Sequence, residues 1–247
     1  MPLIVGFDTA TPDTAVATWA DGSTTERTLA PVEGRPVHGT ELLAAIEELV
    51  DAAGGWEAVD SIAVGIGPGS FTGLRIGIAT ARALAQSRGL PVAGVPSTSA
   101  LLAGIAATPE ASGRRSLAVI DARRGEVFTA LGPPPEAGGA DLSRMDAEIS
   151  ATGQEPVVCA PDELEAKFGP DALANAIAGG DGAVRFRSEI EASGARVLPD
   201  GDDANRLSAS RICELAAMIE PAGPELIRPL YLRRPDAERW RERDGRN

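Results

Sequence analysis

Lysine is almost missing from this 247-residue chain: Lys167 is the only one, and the other basic residues are all arginine. A P-loop lysine, a Schiff-base lysine or a kinase-type lysine–glutamate pair would each depend on that one residue. It sits in an acidic, helix-like stretch (DELEAKFG) that fits none of them. Histidine is equally scarce. His38 stands alone, which excludes a paired-histidine metal motif and leaves any nucleophilic triad a single candidate base. Cys159 and Cys213 lack CxxC spacing, so they point to a reducing compartment without a disulfide framework. No run approaches the roughly 20 apolar residues of a membrane span. The first residues, MPLIVGFDTATPDT, have no basic region and meet Asp8 early, so they read as a strand rather than a leader. A cytoplasmic location, away from membranes, is the expectation.

Charge is one-sided. Asp and Glu number 36 against 23 Lys and Arg, a net charge of −13. Such a chain does not grip nucleic acid alone, because phosphate binding rests on clustered cations and counterion release. A subunit whose partner carries the basic surface remains open. At 43% hydrophobic and 24% charged residues, the composition is that of a globular protein with one large or two modest domains.

Along the chain, residues 3–8 (LIVGFD) are a buried strand ending in aspartate, TATPD is a turn, and 14–20 and 23–30 are return strands. Leu42, Ile46, Leu49 and Ala53 recur at helical spacing over 39–53, stopped by Gly54-Gly55. A strand at 59–66 runs through the turn GPGS into a helix at 71–87. A short strand (91–95) and a third helix (98–107) follow, with Ser97 or Thr98 as its cap. After TPEASGRR (108–115) the pattern restarts: LAVID, the turn ARRG and EVFTAL repeat the opening hairpin. This predicts two βββαβα-like units in tandem, with lobes over 1–110 and 116–235. Beyond them come a turn or mobile loop at 132–140, a strand at 156–160, helices at 161–168 and 205–219, and a charged tail (236–247) that is too polar to bury.

Four constellations could carry chemistry. In each hairpin, an aspartate at the end of the first strand (Asp8 with Thr9, and Asp121) precedes a turn where backbone N–H groups could approach phosphate. Ala10 and the Arg123-Arg124 pair replace the glycines that would help, so two structural hairpins are the competing reading. Gly67, Pro68, Gly69 and Ser70 make a strand-to-helix turn, which is either an anion cradle or close packing. Gly73, Gly77, Ala81 and Ala85 form a small-residue stripe with Leu74 and Ile78 beside it and Arg75 and Arg82 at a polar edge. A helix apolar over most of its circumference is shared with a partner chain or enclosed in its own fold; the expectation is a partner surface. Finally, Gly179-Gly180-Asp181-Gly182 either lines a nucleoside pocket or is a surface turn, and His38 is a cap or packing residue in preference to a ligand.

These segments also resemble a known family. FDTATPDTAVA, VHGTELL, VGIGPGSFTGLRIGIATARALA, GVPSTSALLA, AVIDARRGEVFTAL and PLYLRRPDAE occur in order over nearly the whole chain. Together they resemble the TsaB (YeaZ) family, the paralogue of the TsaD/glycoprotease family in bacterial tRNA threonylcarbamoyladenosine synthesis. The resemblance implies an α/β fold of two tandem actin-like (ribonuclease-H-like, ASKHA) lobes. It implies a non-catalytic subunit that binds TsaD, with TsaE joining, and that meets tRNA only through the complex that modifies N6 of the adenosine beside the anticodon. Alone, such a chain is expected to form a homodimer. The partner helices map onto 39–53 and 71–87, through Leu42, Ile46, Leu49, Gly73, Leu74, Arg75, Gly77, Ile78, Ala81, Arg82 and Ala85. Asp8, Thr9, Gly67, Pro68, Gly69, Ser70, Asp121, Gly179 and Gly180 become vestigial nucleotide or anion loops. No catalytic residue, metal or cofactor is expected; the competing reading is an autonomous actin-like kinase or a glycoprotease-like peptidase.

Overall fold

A computed structural model describes residues 2–133 and 155–233. The expected charged tail at 236–247 and most of the loop at 132–140 lie outside the described residues. Ten strands form two five-stranded sheets among those residues. The first holds β1 (Leu3–Asp8), β2 (Thr14–Ala20), β3 (Ser23–Leu29), β4 (Ser61–Gly65) and β5 (Val92–Val95), in the order β3-β2-β1-β4-β5. The second holds β6 (Arg115–Asp121), β7 (Val127–Leu131), β8 (Val157–Cys159), β9 (Ala176–Gly179) and β10 (Arg196–Val197), in the order β10-β9-β6-β7-β8.

The two sheets repeat one plan. In each, three antiparallel strands come first and two parallel strands add on the far side of the opening strand. The central strands are apolar on both faces, as befits strands covered on both sides. The α/β class and the duplicated hairpin therefore stand as the sequence predicts.

Helices α1 (His38–Ala52), α2 (Phe71–Arg88) and α3 (Ser97–Ala106) belong to the first half of the chain. The second half supplies α4 (Leu164–Phe168), α5 (Pro170–Ala174), α6 (Asp181–Arg185), α7 (Arg187–Ala192) and α8 (Ala209–Ala216). Helices α1 and α2 cover one face of the first sheet through Leu42, Ile46, Leu49, Ile78, Ala81 and Ala85, packed on Val5, Phe7, Val16 and Val64. The other face meets α8, although the sequence reading places that helix in the second lobe. In exchange, α3 lies mainly on β6, β7 and β9 of the second sheet, and also against α8. A simple cut at 108–116 therefore does not describe the packing, because residues 209–231 return to the first sheet. The reason is the apolar side of α8: Ala209, Ile212, Cys213, Leu215 and Ala216 fill the face of β1 and β2 that the first half of the chain leaves bare. Among the described residues no helix is long and apolar enough to cross a membrane.

Candidate functional site

The β1–β2 turn and the 67–70 loop close on each other. Asp8, at the end of β1, is 1% exposed. Its carboxylate accepts from the Ala10 N–H at 2.6 Å and from the Ser97 hydroxyl at 2.6 Å. The Ser97 hydroxyl in turn accepts from the Gly67 N–H at 3.2 Å. Burial pushes the Asp8 carboxyl up to about 6, and the hydrogen bonds from Ser97, Ala10 and Thr9 oppose that rise only in part. Ser97, expected as a helix cap, spends its hydroxyl on Asp8 instead. Only the pairing across 89 residues reveals that role, and no local pattern carries it.

The glycines of the GPGS segment and of the α2 stripe serve this closure. A Cβ on Gly69 would come within 2.5 Å of Ala10. Ser70 caps α2, its hydroxyl accepting from the Gly73 N–H at 3.3 Å, and its own N–H donates to the Ala10 carbonyl at 2.7 Å. A side chain on Gly73 would run into the Thr9 carbonyl, and one on Gly77 into the Thr9 hydroxyl, which donates to the Gly73 carbonyl at 2.8 Å. The stripe therefore faces its own hairpin turn, and Ala81 and Ala85 continue inward. Leu42, Ile46, Leu49, Leu74 and Ile78 are also buried within the chain. Of the residues expected on a partner surface, Arg75 and Arg82 alone reach the outside, and both are engaged. Arg82 donates to the Pro224 carbonyl at 2.9 Å and the Glu225 carbonyl at 3.3 Å. Arg75 lies 3.8 Å over the Phe71 ring and donates to the Tyr231 hydroxyl at 3.3 Å. The physical reason is a strap, residues 222–231, that pairs with Val92 through Ala222, buries Ile227 and donates from Leu230 N–H to Ile66.

The second hairpin keeps the aspartate but surrounds it differently. Asp121 accepts from the Arg123 N–H at 2.8 Å, and its other oxygen meets Arg185 at 2.7 Å and Arg123 at 3.2 Å. Its own N–H donates to Asp181 at 3.0 Å. Asp181 is raised above the ordinary carboxylate range, chiefly by burial. Gly179 and Gly180 are buried and do not form a surface turn. A Cβ on Gly179 would meet Ile105 at 2.8 Å, and Gly180, at φ +121°, lies so close to the Val119 carbonyl that a side chain has no room. His38 is buried, hydrogen-bonded through Nδ1 to the Thr14 hydroxyl at 2.7 Å, and lowered by desolvation in spite of Asp13 nearby. It ties the start of α1 to β2. Among the described residues no group of three or more His, Cys, Asp or Glu could hold a metal ion.

Comparison with known proteins bears on these features. Residues 26–146 match the family model described as TsaD: tRNA N6-adenosine threonylcarbamoyltransferase. The chain is 38% identical over 129 residues to the tRNA threonylcarbamoyladenosine biosynthesis protein TsaB of Escherichia coli, covering 51% of this chain and 53% of that one. The match thus spans about half the length of that curated relative. An uncharacterized protein of Mycobacterium tuberculosis is 33% identical over 190 residues, 77% of this chain and 72% of its own. Among solved structures, YeaZ from Pseudomonas aeruginosa superposes with a TM-score of 0.69 at 28% identity, over 94% of this chain and all of that one. The likeness to that structure, with the duplicated five-stranded sheets, makes the fold one of two actin-like lobes.

Proposed function

Because the chain belongs to the TsaB (YeaZ) family, we propose that it is a non-catalytic, activating subunit that binds a TsaD-type transferase. The assembly would transfer threonylcarbamoyl to N6 of the adenosine next to the tRNA anticodon, with a TsaE-type ATPase joining and tRNA met only through the complex. The observation that carries the non-catalytic part is the filled first turn. Ala10 rests on Gly69 and Asp8 is spent on Ser97 and the Ala10 N–H, so the place where an active actin-like hairpin would cradle phosphate is taken by the chain itself. In the second hairpin, Asp121 is committed to two guanidinium groups.

The partner surface in this reading is the outer side of α1 and α2. Leu43 is 52% exposed, and Ala44, Ala79 and Ala83 are exposed on the same two helices. The buried positions, from Leu42 and Ile46 to Gly77 and Ala85, support that surface from beneath. The same face would mediate self-association when the transferase is absent. Co-elution of the purified chain with its cognate TsaD on size exclusion tests the reading directly. Ala79→Glu is expected to leave the melting temperature within about 2 °C, since exposed substitutions cost little, and to abolish co-elution. A wild-type chain that never co-elutes, or an isolated chain that forms threonylcarbamoyladenosine by itself, overturns it.

A further inference from the structure

The region between the sheets differs from a hinge. Helix α3 comes from the first half of the chain and lies on the second sheet; α8 comes from the second half and lies on the first sheet; the two helices also touch each other. Around them runs one continuous apolar cluster. It includes Ile4, Ala17 and Val95 of the first sheet and Ile120, Phe128 and Ile177 of the second. Domain closure by hinge needs a gap whose lining can part, and closure by shear needs helices free to slide. Here parting the lobes would expose that shared core to water.

One side chain fastens α8 to the first sheet. Glu26 on β3 accepts from the Ala209 N–H at 2.6 Å and from the hydroxyls of Ser208 at 2.9 Å and Ser210 at 2.6 Å. A carboxylate at a helix start is favoured by the unpaired N–H groups and the helix dipole. Nearby, Arg206 pairs with Asp13 of the β1–β2 turn at 3.4 Å. Arg233, two residues past the strap, donates to the Ala122 carbonyl at 3.0 Å and pairs with Glu126 in the second hairpin.

We propose that the α3–α8 exchange locks the two lobes in one relative orientation, with Glu26 as its fastening, so that the β1–β2 and β6–β7 turns keep a fixed separation. The proposal does not depend on the identity of any partner. It predicts an actin-like fold that has lost the opening and closing motion.

Spin labels at Thr24→Cys and Glu189→Cys, both exposed and on different sheets or their covering helices, read the motion. Cys159 and Cys213 are buried, and burial raises both thiols, Cys159 to about 11, so they do not compete for the label. Pulsed electron-paramagnetic-resonance distances are expected to give one narrow distribution with Glu26 intact. Glu26→Ala should broaden it and speed amide exchange in α8 at least about tenfold, with β6 and β9 unchanged. A broad or two-peaked distribution in the Glu26-intact protein overturns the lock. A narrow one in Glu26→Ala, with α8 exchange unaltered, overturns Glu26 as the fastening. Should Glu26→Ala not fold, Glu26→Gln, which keeps one acceptor oxygen, is expected to give an intermediate broadening, and no broadening there counts against the fastening.

Discussion

Asp8 and Asp121 occupy the same place in two copies of one topology, yet their surroundings answer opposite needs. Asp8 is sealed among neutral donors, and its carboxyl is pushed up to about 6. Asp121 keeps two arginines against it, and those arginines reach solvent, with 63% and 50% of their side-chain surface exposed. The helix that follows the fourth strand of each copy differs in step. In the first lobe it is the 18-residue α2, carrying two glycines under the turn. In the second it is broken into α6 and α7, of 5 and 6 residues. A duplicated fold thus solves the same problem, an acidic strand end beside a turn, once by packing and once by ion pairing. Packing leaves the first turn intolerant of change; in the second, the Asp121 side chain is only 5% exposed but its arginine partners stay in water and can adjust.

That contrast can be broken most severely at Gly77. Gly77→Leu places a side chain against the buried Thr9, and overpacking of this kind is expected to cost about 3 kcal/mol. The isolated protein should then melt roughly 10 °C lower in differential scanning calorimetry. An unchanged melt would show that α2 can shift away from the turn. The next effect is pH-dependent. Because the folded Asp8 carboxyl titrates above its ordinary 3.8, the folded state holds that proton more tightly than the unfolded chain. Its stabilising contribution is complete below about pH 4 and is lost as pH rises through about 6, a change on the order of 3 kcal/mol. Urea denaturation at several pH values should therefore show wild type losing stability relative to Asp8→Asn between pH 4 and 6.5. Parallel profiles would contradict the burial argument. The smallest effect belongs to the other copy: Asp121→Asn keeps the shape and one acceptor oxygen of a side chain only 5% exposed, and is expected to cost about 1–2 kcal/mol, because its arginine partners stay solvated. A loss as large as that of Gly77→Leu would erase the distinction between the two turns.

The elements that the sequence displays well are those with local signals. The opening hairpin, its repeat at Leu117 and the helix after GPGS all carry a period and a punctuating turn, and they lie within a residue or two of their predicted bounds. The orientation of the Gly73–Ala85 stripe is not local information. Small residues every four positions say that a backbone comes close, but not whose; the neighbour proved to be Thr9, more than 60 residues away. Strand β9 is hidden for a similar reason. The run Gly179-Gly180-Asp181-Gly182 reads as a pocket lining or a surface turn, and only the pairing of β9 with β6 and the crowding at Gly180 explain why small residues stand there. The return of α8 to the first sheet, held by Glu26, leaves no trace in either segment taken alone.

The strap at 222–231 has a consequence for the order in which the protein can be finished. Val92 and Ala222 exchange both backbone hydrogen bonds, so among the described residues the outer edge of β5 is met at Val92 by a residue 130 positions later in the chain. During synthesis, the first lobe emerges first and completes last. For on the order of ten seconds at ordinary elongation rates, its edge strand and the bare side of β1 and β2 stand open while the second sheet is being made. The second lobe is continuous in sequence and can assemble in that interval, serving as the template on which α3 waits for α8.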